Sequence, residues 1–392
     1  MQVTQREKLE IDMVKFLDLY AQYKSIQTEV DDAICHVITS SSYIGGEPVA
    51  AFERDFALFQ DAGHCVAVAN GTDALEIILE AFAFPPGSEV IVPANTFIAS
   101  AEAVTRCGYK VVFADVDAQT YTLDMADVRR RLTSKTAAII AVHLYGHPCE
   151  MDALMALAQE WDLRIVEDCA QAHGAAYKGR RVGAIGHAGG FSFYPGKNLG
   201  AYGDAGCITT DDEILAQKCR MIANHGRIDK YDHRFEGRNS RLDGLQAAIL
   251  SVKLRHLESW IAHRNRVATL YVAQLQGIDD LVLPMMAKGC MHSFHLFVLR
   301  TRYRDALAAF LHDRGIQTGV HYPIALPKLE AYTYLGEPDM SMFANHADGQ
   351  VLSLPVGEHV TDADVALVVQ AIKEFCAQEG LIGQNYAAPL SA

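Results

Sequence analysis

The chain has 392 residues, and 50% of them are hydrophobic, which is enough apolar material for two domains. Its formal net charge is −14 at pH 7, and it has no lysine or arginine cluster beyond the run from Arg129 to Arg131, which we expect on a solvated helix face. Because nucleic acids bind basic surfaces, this charge argues against nucleic acid as a main partner.

The cysteines and the amino terminus indicate the compartment. The nine cysteines have no framework spacing and are interpreted as reduced thiols. His143, His147 and Cys149 lie close together, but no second ligand pair follows them, so we expect no metal site. The amino terminus is charged, and no apolar run reaches the roughly 18 residues of a membrane span. The sequence therefore predicts a soluble, cytoplasmic protein without a membrane partner.

The first elements are helical. Residues 9–38 carry apolar positions at mixed helical spacing, which predicts an entry segment and one amphipathic helix. Gly45 and Gly46 interrupt this pattern, and a second helix is predicted from Val49 to Phe59. The main domain is expected to begin here.

Between residues 64 and about 210, short apolar runs alternate with helical patterns. This alternation predicts βαβ units and a mostly parallel, doubly wound α/β sheet. Because the runs are apolar throughout, both faces of the sheet should be covered by helices. The predicted strands are residues 64–69, 89–93, 110–116, 137–144, 164–167 and 190–194.

The pattern changes in the second half of the chain. Helices are predicted over residues 211–225 and 241–276, and the second is long enough to connect two domains. A strand over 293–300, a helix over 304–314 and a final helix over 361–378, capped by Thr361, predict a small α+β domain. The tail from Gly380 shows no pattern. We therefore divide the chain into a larger domain, residues 1–260, and a smaller one, residues 261–392.

One lysine stands out in the glycine-rich stretch 189–206. A short apolar run bounded by glycines predicts a buried strand, and Pro195 and Gly196 then force a turn that places Lys197 at the mouth of the strand. An amine held there can be desolvated and nucleophilic, as Schiff-base chemistry requires. For an isolated lysine, the competing interpretation is an ordinary surface side chain.

An acidic residue upstream favours the chemical interpretation. Residues 164–168 predict a short strand that ends in Asp168, and ligands of open α/β sheets bind at the carboxyl ends of strands. Pyridoxal phosphate needs a lysine for its Schiff base and an acidic group that faces its pyridine nitrogen. Lys197 and Asp168 would supply both.

Two further segments fit a flat, phosphorylated cofactor. The stretch from Ala69 to Leu75 follows a strand and opens a helix, whose amino terminus suits a phosphate. The alternative is that Thr72 or Asp73 only caps the helix. No G-x-G-x-x-G dinucleotide fingerprint stands at this turn. Phe97 follows the next strand, where it can stack on a cofactor ring or pack in the core.

In this order the motifs resemble DegT-type sugar aminotransferases, a branch of the fold type I, aspartate-aminotransferase-like pyridoxal-phosphate enzymes. The resemblance spans roughly residues 14–375. It implies a large cofactor-binding domain with a mostly parallel, seven-stranded-type sheet and a smaller α+β carboxyl-terminal domain. The remaining matching motifs are Gly45-Gly46 with Phe52-Glu53, His143-Leu-Tyr-Gly146, Glu167-Asp-Cys-Ala-Gln-Ala-His-Gly174, Phe191-Ser-Phe-Tyr-Pro-Gly-Lys-Asn198 and the run 237–248.

The resemblance implies a role for each site residue. Lys197 forms the Schiff base and then serves as the base for the proton shift, and Asp168 faces the pyridine nitrogen. Asn239 reaches the phosphate of the neighbouring subunit's cofactor, which implies a homodimer; its alternative role is a helix cap. The residues implied to hold the phosphate are Gly71, Thr72, Asp73 and Ser192, those near the ring are Phe97 and Gln171, and those near the sugar are His321 and Tyr322.

The implied reaction transfers the amino group of L-glutamate to a keto sugar with ping-pong kinetics. The sequence around Lys197 resembles that of relatives that act on a nucleotide-linked 3-keto-hexose, dTDP- or UDP-linked. This implies a role in the biosynthesis of amino sugars for cell-surface polysaccharide or lipopolysaccharide. The alternatives are amination of an oxidised octulosonate that carries no nucleotide, and a cofactor-binding regulator without turnover. A nicotinamide-dependent dehydrogenase is disfavoured by the missing fingerprint.

Two positions bear on the substrate. Some relatives carry histidine where Lys197 stands and catalyse dehydration or deoxygenation, so the lysine argues against that outcome. The segment 319–332 begins with the family's His321-Tyr322-Pro323, but where many relatives have a histidine a few residues on, this chain has Ala-Leu-Pro-Lys. That loop lies near the sugar in the family, and the sugar is therefore left open.

Overall fold

The computed structural model of the protein describes residues 13–381. The start of the predicted entry segment, residues 9–12, and nearly all of the tail from Gly380 lie outside this range. No helix within residues 13–381 combines the length and the apolar character needed to cross a membrane.

A seven-stranded sheet forms the centre of the fold. The strands are β1 His64–Val68, β2 Glu89–Pro93, β3 Lys110–Ala114, β4 Thr136–Val142, β5 Arg164–Asp168, β6 Ala188–Ser192 and β7 Gly206–Thr210. Their spatial order is β1-β7-β6-β5-β4-β2-β3, and every strand except β7 points the same way. The α/β fold class with a mostly parallel sheet is thereby confirmed. All six strands predicted from apolar runs are present; β7 was not predicted.

Successive residues of the central strands contribute to two different hydrophobic cores. On β4, Ile139 belongs to the core on one face of the sheet and Ile140 to the core on the other, and both are fully buried. Side chains alternate between the faces of a strand, so apolar residues at every position require cover on both sides. One face is covered by Gly71–Phe82, Ala99–Arg106 and Glu213–Ala223, and the other by Gly46–Gln60, Met151–Trp161 and Gly244–Leu254.

Two segments that were each predicted as one helix are each divided into two. The first breaks at Ile26, where φ is −129°, to give Leu19–Ser25 and Gln27–Ser40. The second breaks at Arg255 and His256, whose amides bond three residues back and tighten the turn, to give Gly244–Leu254 and Leu257–Leu275. The remaining helices are Met125–Arg131, Arg304–His312, Ala344–Ala347 and Asp362–Gln378, with the short 3-10 turns Leu144–Gly146, Leu326–Lys328 and Glu330–Leu335.

A third core lies in the carboxyl-terminal part. It surrounds the antiparallel pair β8 (Phe297–Arg300) and β9 (Val351–Leu354). Thr361 begins the final helix with a capping box, as predicted, because its side chain accepts from the Asp364 amide at 3.1 Å. The helix Leu257–Leu275 contributes to this core and to a core of the large sheet, so the predicted boundary after residue 260 falls inside a helix. Short pairings complete the structure: Ala176–Tyr177 with Arg180–Arg181 and Cys290–Met291, and Arg227–Asp229 with Asp232–His233.

Candidate active site

A cavity of about 660 Å³ opens at the carboxyl edge of the parallel strands. It brings together residues that are up to 340 positions apart in the chain, from Phe16 to Val356. Nine of the predicted site residues line it, namely Gly71, Thr72, Phe97, Asp168, Gln171, Ser192, Lys197, His321 and Tyr322. Asp73 and Asn239 are not among its lining residues. A groove of about 1170 Å³ at the opposite edge of the sheet is lined by none of the predicted site residues.

Asp168 ends β5 and is 5% exposed. The hydroxyl of Ser100 donates to its Oδ2 at 2.7 Å, and the amide of Ala170 donates to its Oδ1 at 3.1 Å. A carboxylate oxygen can accept more than one hydrogen bond, so the carboxylate is oriented from behind and keeps acceptor capacity toward the cavity.

Lys197 lies in the turn that the sequence predicted, where its amide donates to the Tyr194 carbonyl at 2.8 Å. Burial lowers the pKa of its amine to about 8, and the negative charge of Asp168 counteracts part of that shift. A lowered amine pKa raises the fraction of neutral amine near neutral pH, and the neutral amine is the nucleophile. The side chain therefore suits attack on an aldehyde in the cavity.

The loop between β6 and β7, residues 193–205, carries Lys197 and is fixed along its length. At its base, the Phe193 amide donates to the Ala205 carbonyl at 2.7 Å. Next to the lysine, the side-chain amide of Asn198 donates to the Ser293 carbonyl at 2.9 Å, and Lys253 Nζ donates to the Gly200 carbonyl at 2.7 Å. We call this segment the lysine loop.

The helix Gly71–Phe82 begins beside the end of β6. Asn70 caps it, because its side-chain oxygen accepts from the Asp73 amide at 2.8 Å. The alternative that Thr72 or Asp73 supplies the cap is therefore wrong. A Cβ at Gly71 would lie 2.5 Å from the Cβ of Ser192, so only glycine permits this approach. Helix amides and two nearby hydroxyls, those of Thr72 and Ser192, make this corner suitable for an anion.

Aromatic and amide groups form the rest of the wall. Gln171 accepts from the Tyr145 amide at 2.7 Å and donates to the Tyr322 hydroxyl at 2.9 Å. Phe97 lies with its ring centroid 5.8 Å from that of Tyr322 and is 54% exposed. A core phenylalanine would be buried, so the core-packing alternative for Phe97 is wrong and its ring is available to a ligand.

His321 lines the cavity in the neutral state. Its Nδ1 lies 2.8 Å from the Ser353 hydroxyl, and burial together with the positive charge of Lys197 lowers its pKa to about 4. Its imidazole therefore offers hydrogen bonds without a charge across the physiological pH range.

His143, Glu167 and Cys169 form a buried group at the end of β5, with potential metal-ligand atoms within 4.8 Å of one another. His143 Nε2 lies 2.9 Å from Glu167, and its Nδ1 accepts from the Cys149 amide at 3.0 Å. Because these atoms are already hydrogen-bonded, we assign the group a structural role. Glu167 also accepts from three backbone amides, those of Gly183, Ile185 and Gly186.

Asn239 is exposed and lies in the segment before the helix Gly244–Leu254. That helix begins after Asp243, so the alternative role of Asn239 as its cap is wrong. The next residue, Ser240, accepts from the Ala69 amide at 3.2 Å, which places this segment beside the turn that leads into the Asn70 cap.

Sequence reasoning missed the residues that support the site from behind, above all Ser100 and the capping residue Asn70. Asn70 follows a strand and precedes a helix by one position, which is an N-cap signal and was available. Ser100 is one small polar residue in an otherwise ordinary helix, and nothing in its local pattern indicates a partner 68 residues away.

Comparison with known proteins gives one continuous family match over most of the chain. The DegT/DnrJ/EryC1/StrS aminotransferase family matches residues 24–373. The erythromycin biosynthesis sensory transduction protein EryC1 of Saccharopolyspora erythraea is 45% identical over 92% of this chain and 99% of its own length. The dTDP-3-amino-3,4,6-trideoxy-alpha-D-glucose transaminase of Streptomyces venezuelae is 43% identical over 94% and 97%.

A solved structure extends the likeness to three dimensions. S. venezuelae DesV, in complex with a ketimine intermediate, matches 93% of this chain and 98% of its own chain with a TM-score of 0.91 and 43% identity. A family match across most of the chain, together with this structural agreement, confirms the resemblance predicted from the motifs. The protein therefore belongs to the DegT/DnrJ/EryC1/StrS aminotransferase family.

Proposed function

We propose that this protein is a pyridoxal-phosphate-dependent aminotransferase that transfers the amino group of L-glutamate to a nucleotide-linked keto sugar. The observation that carries the proposal is the meeting of Lys197, Asp168 and an anion-binding helix start in one cavity. A lysine for the Schiff base, an acid for the pyridine nitrogen and a phosphate site are the three features that this cofactor requires.

The cavity fits the cofactor on observations independent of the family. At the phosphate corner the helix start lies directly against Ser192, and only a glycine at position 71 permits this close approach. Thr72 and Ser192 would hold the phosphate, and the half-exposed ring of Phe97 would cover one face of the pyridine. Asp168 keeps acceptor capacity for the ring nitrogen, and Gln171 has a side-chain amide nearby. The Asp73 amide already donates to the side-chain oxygen of Asn70, so we propose that Asp73 fixes the helix start beside the phosphate.

When bound, the cofactor supplies an aldehyde for the incoming amine and a ring that accepts electron density. Lys197 Nζ holds and returns the proton at the carbon that carries the transferred amine, because it already lies in the cavity. Asp168 would hold the proton at the ring nitrogen. His321, neutral and anchored by Ser353, and Tyr322, anchored by Gln171, would hydrogen-bond the sugar.

The relatives support the substrate class. The S. venezuelae relative is a dTDP-linked 3-amino sugar transaminase, and its similarity extends over nearly the whole chain. We infer a 3-keto-hexose linked to dTDP or UDP. An oxidised octulosonate without a nucleotide is the competing substrate. The competing function is a regulator, which the name of EryC1, a sensory transduction protein, supports.

The assembly and the location complete the proposal. We propose a homodimer in which Asn239 of one subunit reaches the cofactor phosphate of the other. The support is that Asn239 is exposed and absent from the lining of its own cavity, although Ser240 beside it contacts Ala69. We propose a cytoplasmic location because all nine cysteines, which lie within the described residues, are unpaired.

Absorption spectroscopy tests the function. We expect wild-type protein with pyridoxal phosphate to show a visible band that L-glutamate converts to a near-ultraviolet band, and Lys197→Ala to lose this conversion. Lys178→Ala, which removes an exposed lysine bound to Asp152, serves as the control and should behave as wild type. If the wild type binds the cofactor but responds to no amino acid, the regulator is the correct function.

The substrate is tested on the same protein after L-glutamate has transferred its amino group to the cofactor. A dTDP- or UDP-linked 3-keto-hexose should restore the visible band, whereas an oxidised octulosonate should not. The reverse result would overturn the nucleotide-sugar assignment and leave the aminotransferase assignment intact.

A further inference from the structure

Two buried hydroxyls form a hydrogen-bonded line that ends at the carboxylate of Asp168, and the outer one, Thr96, also lines the cavity. Ser100 Oγ is 2.7 Å from Asp168 Oδ2, and Thr96 Oγ1 is 3.0 Å from Ser100 Oγ. Thr96 is 3% exposed and Ser100 is 1% exposed. Ser100 is not among the residues that line the cavity, so it has no direct access to a ligand there.

The chemistry of the three groups fixes the direction of these hydrogen bonds. An ionised carboxylate only accepts, so the single hydroxyl proton of Ser100 must point to Asp168. The oxygen of Ser100 is then free to accept the proton of Thr96. The chain of hydrogen bonds therefore runs from Thr96 through Ser100 to Asp168, and each hydroxyl dipole points toward the negative charge.

Such a chain has two effects on the carboxylate. Hydrogen bonds to a charged acceptor are stronger than neutral ones, and consecutive bonds in a buried site polarise one another. The hydrogen bond from Ser100 to the Asp168 carboxylate is therefore stronger than an isolated one. In addition, Ser100 on Oδ2 and the Ala170 amide on Oδ1 fix the rotation of the carboxylate, so its remaining acceptor capacity faces the cavity.

We propose that Ser100, supported by Thr96, is a positioning residue that holds the Asp168 carboxylate aimed at the pyridine nitrogen of the cofactor. The proposal rests on the proposed pyridoxal-phosphate function. Ser100 would thereby set how firmly the ring nitrogen keeps its proton, and with it how well the ring accepts electron density from the substrate.

Cofactor binding by Ser100→Ala tests the proposal without relying on turnover. Loss of a hydrogen bond to a buried charge should weaken pyridoxal phosphate binding about tenfold and lower kcat of the L-glutamate half-reaction by a similar factor, with KM for glutamate little changed. The probe that isolates the mechanism is the deaza analogue of pyridoxal phosphate, in which carbon replaces the ring nitrogen. Its dissociation constant should not respond to the substitution.

Two variants serve as controls. Ser100→Thr keeps the hydroxyl and should restore both cofactor binding and kcat. Ser88→Ala removes a buried serine hydroxyl that donates to the Pro85 carbonyl at 2.7 Å at the opposite edge of the sheet, and should change neither. Alanine is the strongest helix former, so Ser100→Ala at the start of Ala99–Arg106 should still fold, which the melting temperature will show.

The outcomes separate this inference from the proposed function. The role of Ser100 is overturned if Ser100→Ala binds pyridoxal phosphate as tightly as the wild type does. It is also overturned if the substitution weakens the binding of pyridoxal phosphate and of its deaza analogue equally. Either result leaves the proposed aminotransferase function intact. Failure of the wild type to bind pyridoxal phosphate overturns both. A loss confined to the cofactor with the ring nitrogen, rescued by threonine, supports the positioning role.

Discussion

At the scale of single residues, Lys197 and Lys253 show that a low pKa does not by itself mark a reactive amine. Burial lowers the pKa of both to about 8. Lys253 is fully buried, donates to the Gly200 carbonyl and lies 4.3 Å from the ring centroid of Tyr202, so its amine is engaged. Each lysine has a carboxylate neighbour, Asp168 for Lys197 and Glu358 for Lys253, but only Lys197 lines the cavity. Position, more than acidity, distinguishes the two.

The pH dependence of cofactor capture follows from the pKa of Lys197. Only the neutral amine attacks an aldehyde, so capture of pyridoxal phosphate by the cofactor-free protein should accelerate with rising pH and level off above a midpoint near 8, where the amine loses its proton. Growth of the visible band after mixing measures this rate. A midpoint near 10.5, the ordinary lysine value, would contradict the burial argument.

Asp168→Asn provides the control for the sign of that effect. The charge of Asp168 raises the pKa of Lys197 against the larger effect of burial. Its removal should therefore move the midpoint of cofactor capture below that of the wild type, even though the variant transfers amines poorly. An upward movement would show that Asp168 does not act on Lys197 through its charge.

At the scale of elements, the docking of the helix Gly71–Phe82 against β6 depends on one missing side chain. Gly71→Ala would bring a Cβ to 2.5 Å from Ser192 Cβ, and an overpacked contact of this kind costs about 1–3 kcal/mol. We expect a lower melting temperature and weaker cofactor binding, because the helix start must move away from the phosphate corner. Gly349→Ala is the matched control, since its Cβ would have no neighbour closer than 4.0 Å. Equal effects of the two substitutions would contradict the packing argument.

The elements also show what a single sequence can and cannot predict. Apolar runs located six strands because burial on both faces leaves a plain signal. β7 escaped because its residues, Gly-Cys-Ile-Thr-Thr, make a short and half-polar run directly after a glycine-rich stretch. The break at Arg255 and His256 escaped because neither residue interrupts a helical pattern, and the tighter turn there is set by packing against two cores.

At the scale of the whole molecule, the sequence predicted which residues carry the chemistry of the site, but it did not predict that all of them lie in one cavity. Lys197, Asp168 and the glycine at 71 follow strands, and strand ends share one edge of a parallel sheet. No comparable rule brings His321 and Tyr322 from the far part of the chain to that edge, and for them the family resemblance was the only guide. The hydroxyl of Ser100 depends on the register of neighbouring elements, which local sequence does not encode.

Subunit mixing tests the proposed dimer. Homodimers of Lys197→Ala and of Asn239→Ala should each have impaired activity. If Asn239 acts on the neighbouring subunit's site, a mixed dimer has both substitutions in one active site and none in the other. Equal mixing after dissociation should then restore about a quarter of the wild-type sites. If Asn239 acts within its own subunit, every mixed site carries one defect and activity should not recover.

The lysine loop has a thermodynamic consequence for how the cofactor enters. Its two ends are joined where Ser192 and Gly206 pair, and its middle is tied by Asn198 and Lys253. The conformational entropy of this segment is therefore lost during folding, before any cofactor arrives. Amide hydrogen exchange across residues 193–205 should accordingly be slow in the cofactor-free protein and change little on loading, whereas a loop that orders on binding would show new protection there. The reactive amine is, in this sense, preorganised by the sheet that carries it.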